Sequence, residues 1–419
     1  MTITDATQDV TAAPELRRQA RSRAQPVIDW LTDMGLRRSR ITTLHDGFLR
    51  QLTNIGIPVD RSTLHLPQLH PQLRAVTVLW EAEAGGAMEI PRAHGIEQTD
   101  FFLASPVHLV HQGGPLIRRR LERADCPLDF PIVKDLKEGG YSDYTARPMP
   151  FSNKQINTVT LASKQDGGFS DLDIATVDAC LPAFSTVLEL RNVYRTARNL
   201  LQTYIGPRSS DRVLSGTVQR GEVERINAVL WTCDLRDFTS LSDTLPMEEV
   251  ILLLDDYFEI MAQPIAANGG EILKFIGDAI LAIFPIEEQQ EGDACRACEA
   301  AMQAAQSALN AAMAVQPQRR AESKPEFRCG VALHVGDVMY GNVGAVDRLD
   351  FTVIGPAVNL VCRIEDLNRG LEMPLVYSAD FARLWAGESR SLGFHDLKGV
   401  REAKEVFTLD TSRLAGTGR

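Results

Sequence analysis

Apolar residues keep two rhythms in the first half of the chain. Over residues 26–56 they recur at helical spacing in two runs, Ile28, Trp30, Leu31 and Leu36, then Leu44, Phe48, Leu49 and Leu52. That spacing predicts two helices. Alternation takes over at residues 75–80 (AVTVLW) and again at 158–162 (TVTLA), the pattern of half-buried strands. Gly167-Gly168 then leads into a helix from about Ser170. Helices, strands and a closing helix predict an α+β domain over residues 25–186. Residues 1–24 carry Thr, Ala and Arg without an apolar period and are expected to form a mobile tail, with a second tail at 411–419.

Between the halves, Val187, Leu190, Tyr194, Ala197, Leu201 and Tyr204 are spaced alternately three and four apart. This is a coiled-coil seam, although one amphipathic helix packed on its own domain fits the same short pattern. Gly206-Pro207 ends the helix and a polar stretch runs to Arg225, so residues 187–225 read as a helical linker.

Residues 226–410 form the other domain. An apolar run over 229–233 ends on Asp234 and predicts a strand. Pro246, Glu248 and Glu249 open a long amphipathic helix that Asn268-Gly269-Gly270 stops. Strands over 271–276 and 279–284 meet at Gly277-Asp278, a two-residue hairpin turn. An Ala-rich helix over 292–314 follows, then strands near 327–334, 338–343 and 349–354 and a helix opened by Pro356. The fold class predicted is α+β: a ferredoxin-like βαββαβ core with additions, preceded by a separate α+β sensor-like domain and the linker.

Charge and composition narrow the partners. A net charge of −11 over 419 residues disfavours nucleic acid, and Arg118-Arg119-Arg120 reads as a solvated helix face. No apolar run approaches the ~20 residues of a membrane helix, and no signal-peptide core is present, so no membrane partner and a cytoplasmic location are expected. Seven cysteines, scattered and odd in number, argue against a disulfide framework, and Cys295 and Cys298 read as two thiols one helical turn apart. His45, His65, His70, His94, His108 and His111 lack a ligand motif and read as core or surface side chains.

If the hairpin pairs with the strand before it, Asp234 and Asp278 converge at one sheet edge. Two close carboxylates repel, and hard cations relieve the repulsion. At these residues the sequence resembles a known family. Asp234-Leu235-Arg236-Asp237-Phe238-Thr239 and Lys274-Phe275-Ile276-Gly277-Asp278 are followed by Gly336 to Gly344, Asp350-Phe351-Thr352-Val353-Ile354-Gly355, Val358-Asn359-Leu360-Val361-Cys362-Arg363 and Leu397-Lys398-Gly399. The series resembles the catalytic domain of class III nucleotidyl cyclases, most closely the bacterial adenylate cyclases. The stretch from Gly167 to Asp173 is similar to the end of GAF-like sensor domains.

The resemblance implies conversion of ATP to 3′,5′-cyclic AMP with two Mg²⁺ or Mn²⁺ ions per site. It implies metal ligation by Asp234, Asp278 and the Leu235 carbonyl, and phosphate contacts from the backbone at Phe238 and Thr239. Lys274 and Thr352 would read adenine, whose N1 accepts and whose N6 donates. Asn359 would orient the ribose, Arg363 would stabilise charge at the α-phosphate, and Lys398 would hold the β- and γ-phosphates. Asp337 stands where some mammalian members carry a phosphate-binding Arg. Because one subunit's metal residues face another's Asn and Arg, the resemblance implies a homodimer, with an unknown ligand at the N-terminal domain. A guanylate cyclase, or a homologue that binds nucleotide without turnover, stays open beside this reading.

Overall fold

Ala20, Ala24, Val27 and Leu31 are buried along helix α1 (Pro14–Gly35), at spacings that put them on one face. The helix starts inside the stretch expected to be a mobile tail, so for residues 14–24 that expectation is corrected. Alanine makes up half of the stripe and does not register as an apolar period. The computed structural model describes residues 14–37, 39–287 and 292–409; residues 1–13 and the expected tail at 411–419 lie outside the described residues.

The chain divides into two units, residues 1–200 and 201–419. In the first, α1 and α2 (Ile41–Asn54) precede β1 (Arg61–Pro67), β2 (Leu73–Glu81) and β3 (Gly86–Ala93). The short helices α3 (Asp100–Leu103) and α4 (Pro106–His111), β4 (Ile117–Arg120), α5 (Pro131–Glu138), β5 (Asp143–Pro150), β6 (Ile156–Ser163) and α6 (Asp171–Ile205) follow. The strands form one antiparallel sheet in the order β3-β2-β1-β6-β5-β4. Leu64, Leu66, Val76, Val78, Val159 and Leu161 project from one face into a core shared with α1, α2 and α6. Their neighbours along each strand point to the opposite face.

Arg118, Arg119 and Arg120 lie on the edge strand β4 rather than on a helix. Each meets an acid: Arg118 with Asp143 at 2.7 Å, Arg119 with Asp129 at 2.5 Å and Arg120 with Asp171 at 3.3 Å. Those acids are 10 to 51 residues away in sequence, so a local reading of the basic run does not register them. Helix α6 is continuous over 35 residues. Val187 and Leu188 are buried in the first unit's core, whereas Leu190, Tyr194 and Tyr204 further along the seam are exposed.

The second unit opens with α7 (Pro207–Leu214), a helix inside the stretch expected to be polar linker. Then come β7 (Val223–Leu235), α8 (Phe238–Thr244), α9 (Met247–Ala267), β8 (Glu271–Ile276), β9 (Ala279–Ile286), α10 (Asp293–Ala314) and α11 (Gln316–Ala321). They are followed by β10 (Cys329–Gly344), β11 (Leu349–Ile354), α12 (Pro356–Leu371), β12 (Leu375–Ser378), α13 (Ala379–Leu384), β13 (Ser389–His395) and β14 (Lys404–Leu409). The strand order is β13-β14-β12-β10-β7-β9-β8, with β11 on the far half of β10. The central four, β10-β7-β9-β8, are the fourth, first, third and second strands of a βαββαβ unit, which is the expected ferredoxin-like core. The strands expected near 327–334 and 338–343 are one strand, because pairing with β7 runs unbroken from Cys329↔Leu235 to Gly341↔Val223. Among the α10 side chains, Cys298 is buried beside Ala301, Ala304, Ala305 and Ala308, and Cys295 is exposed.

A buried carboxylate ties α7 into this unit. Glu271, 2% exposed at the start of β8, accepts hydrogen bonds from the Ser209 amide (3.0 Å), the Ser209 hydroxyl (2.8 Å) and the Tyr340 hydroxyl (2.8 Å).

Candidate active site

Strand β9 pairs with β7 from Ile286↔Asn227 to Ile280↔Cys233, so the β8–β9 turn arrives beside the end of β7. Gly277 supplies the positive φ of 64° in that turn, a conformation glycine adopts without steric cost. The turn sets Asp278 against Asp234. Asp234 Oδ1 accepts from the Leu235 amide at 2.9 Å and Asp278 Oδ2 accepts from the same amide at 3.3 Å. Leu235 enters the site through its N–H.

Burial, followed by the hydrogen bond and charge of Asp278, pushes the Asp234 carboxyl up to about 8. Glu365 on α12 adds to the rise and the Leu235 amide opposes it. Glu365 is itself raised, first by its own burial, while Arg236 pulls it down. Arg236 donates to the Met373 carbonyl at 3.0 Å. A Cβ at Gly330 would come within 2.5 Å of its guanidinium, so the missing side chain there makes room for it. An acid pair that resists double ionisation is a donor set that a hard divalent cation fits. No group of three or more His, Cys, Asp or Glu side chains suited to a metal occurs among the described residues. A cation here would therefore draw on the two carboxylates together with backbone or substrate oxygens.

Lys274, on β8, reaches Asp350 on β11, with Nζ 2.5 Å from Oδ2. Asp350 and Thr352 are two apart on one strand and so share a face, and Thr352 is buried. Lys274 thus has an acid beside it, two residues from Thr352 on the same strand as Thr352. The signal for that acid was the strand period in Asp350-Phe351-Thr352, but its partner stands 76 residues away.

Residues 222–381 match the family model described as "Adenylate and Guanylate cyclase catalytic domain". This segment is a class III nucleotidyl cyclase catalytic domain. Among curated relatives, Adenylate cyclase 1 of Rhizobium meliloti (strain 1021) is 31% identical over 264 residues, covering 61% of this chain and 38% of that protein. Adenylate cyclase of Anabaena cylindrica is 35% identical over 182 residues, covering 42% of this chain and 35% of that protein. The chain spans little more than a third of either relative. A solved bacterial light-regulated adenylyl cyclase is 26% identical with a TM-score of 0.47, over 55% of this chain and 65% of that one.

None of the other expected site residues hydrogen-bonds to Asp234 or Asp278 through its side chain among the described residues. Phe238 and Thr239 open α8, whose first turn follows Asp237 in the left-handed conformation (φ 59°). On α12, Ala357, Val361, Ile364 and Asn368 are buried. At about 100° per residue, Asn359 and Arg363 fall on the opposite side of that helix. Asn359 and Lys398 make no side-chain hydrogen bond among the described residues, and Arg363 approaches only Asp366, at 3.4 Å. Asp337 is held by Arg225 and by Asn227, the latter at 2.8 Å. No helix among the described residues is long and apolar enough to cross a membrane.

Proposed function

We propose that the chain is an adenylate cyclase, turning ATP into 3′,5′-cyclic AMP and pyrophosphate at sites shared between two copies. The observation that carries this is the pair Asp234 and Asp278 on one amide, with Lys274 of the matched segment held by Asp350, two residues from Thr352 on β11. In the reaction the ribose 3′-oxygen bonds to the α-phosphorus as the bond to the β-phosphate breaks. The hydroxyl proton leaves and pyrophosphate departs.

Asp234 and Asp278 would hold Mg²⁺ or Mn²⁺. Such cations supply positive charge to the attacking and leaving oxygens. Lys274 donates to adenine N1, and the Thr352 hydroxyl accepts from N6. Arg363 neutralises charge at the α-phosphate, Asn359 orients the ribose, Lys398 holds the terminal phosphates, and the backbone at Phe238 and Thr239 contacts phosphate oxygens. The outward face of α12 supports the shared site, because Asn359 and Arg363 point away from the body of their own domain and need a second copy opposite them. The first unit regulates the second through residues 187–225, and the exposed seam residues of α6 suit helix pairing between copies.

GTP has one observation on its side. Asp350 beside Lys274 places an acceptor where guanine presents donors. Full-length protein given ATP or GTP with Mg²⁺ or Mn²⁺, with products separated by chromatography, tests both. Cyclic AMP as the main product supports the proposal, cyclic GMP as the main product replaces it, and no product from folded dimer removes both.

A further inference from the structure

The face of the first unit's sheet turned away from its main core borders a cavity of about 170 Å³. Leu79, Ile90, Phe102 and Val107 make apolar wall. A row of polar side chains crosses its floor. Arg92 Nε donates to Thr77 Oγ1 at 3.3 Å, and Thr77 Oγ1 lies 3.3 Å from His65 Nδ1. His65 Nε2 is 2.9 Å from Thr63 Oγ1, which is 2.6 Å from Thr160 Oγ1.

Arginine can only donate, so Thr77 accepts from Arg92. His65 is neutral at pH 7, because burial holds it down at about 3, so one of its ring nitrogens donates along the row and the other accepts. Thr160 Oγ1 also accepts from the Thr63 amide at 3.1 Å. His111, at the cavity wall, adds a buried Nε2 with no partner among the described residues.

Among the described residues the cavity therefore sets a guanidinium beside neutral polar side chains and carries no carboxylate. No Asp or Glu lines it. Of its two arginines, Arg61 is paired with Glu81 at 3.3 Å, while Arg92 has only the threonine among the described residues. A guanidinium without an acid, beside neutral polar side chains and apolar walls, matches a ligand with one carboxylate and an apolar body. The volume sets the size, since a dry cavity of roughly 150 Å³ takes up benzene. A nucleotide is too large.

We infer that the first unit is a receptor for a small monocarboxylate with a body of about one ring, bound in this cavity with its carboxylate at Arg92 and its body among Leu79, Ile90, Phe102 and Val107. The inference concerns the first unit alone and stands apart from nucleotide cyclisation, because binding is read without turnover.

Benzoate is the probe and benzyl alcohol, of similar shape but neutral, the control. Both are titrated into the full chain by ligand-observed NMR. Benzoate is expected to bind with a Kd of about 1 mM or tighter, at least about tenfold tighter than benzyl alcohol. Arg92→Gln should remove that preference and leave benzyl alcohol binding unchanged. Ala75→Phe, which fills the cavity, should exclude both. If it fails to fold by circular dichroism, the half-exposed Arg92→Gln decides. The inference is overturned if benzoate does not bind the folded wild type at about 20 mM, a concentration well above that Kd. Equal binding of the two probes, or an unchanged preference in Arg92→Gln, overturns it as well.

Discussion

Cation binding at the acid pair should expel a proton, and the amount follows from Asp234. Its carboxyl rises from an ordinary 3.8 to about 8, chiefly through burial and then through Asp278. The sign is that of a raised acid. Its favourable contribution to stability is full below about pH 4 and is lost as the pH climbs through about 8. A divalent cation takes the ionised form, so its stabilising effect grows over the same range. With a value of about 8, roughly nine in ten copies hold the proton at pH 7 and about one in ten at pH 9. Binding should therefore release about 0.9 proton per pair at pH 7 and about 0.1 at pH 9, with affinity about tenfold higher at pH 9. Titrating Mn²⁺ calorimetrically in two buffers of different ionisation enthalpy counts the protons. Glu365→Gln removes one of the charges that raise Asp234 without removing a proposed ligand, so it should lower the count at pH 7. Saturable binding at pH 7 with no proton released would refute the reasoning.

Three further outcomes are expected. Mixing Asp278→Ala with Asn359→Ala under subunit exchange should recover roughly a quarter of wild-type activity, because half the dimers are mixed and each has one intact site; mass spectrometry verifies exchange, and no recovery would place each complete site within one chain. Lys274→Glu with Thr352→Cys should weaken ATP turnover relative to GTP by inverting the hydrogen-bonding edge, and unchanged ATP kinetics would remove both residues from base recognition. Glu271→Ala should cost about 2–4 kcal/mol in urea denaturation by stranding the Ser209 and Tyr340 donors, and a loss under about 0.5 kcal/mol would show that water replaces the carboxylate.

The parts of the fold legible in the sequence were those whose signal is local. The Gly277-Asp278 hairpin and the long helix before it could be placed from a few adjacent residues, and with them the meeting of Asp234 and Asp278. What escaped was set at a distance or carried by small side chains. Arg119 on an edge strand is stabilised by Asp129 across a turn, which periodicity does not register. Asp350 looks like any strand-edge acid until β8 is laid beside β11. Gly336 looked like a break between strands, yet it faces Ala228 across an unbroken ladder. Side-chain volume misled at α1, where alanine is buried by close approach rather than by bulk.

Glu271 also sets where the catalytic half begins as a physical object. The family-model match starts at residue 222, but the partner that occupies one oxygen of this carboxylate is Ser209. The Thr217 carbonyl likewise accepts from Asn342 at 3.0 Å. A fragment cut at residue 222 would take Ser209 from this buried carboxylate, whereas one cut before Gly206 would keep it. Recombination that joins such a domain to a new sensor meets the same constraint. The turn and short helix ahead of β7 are by these contacts structural parts of the second unit.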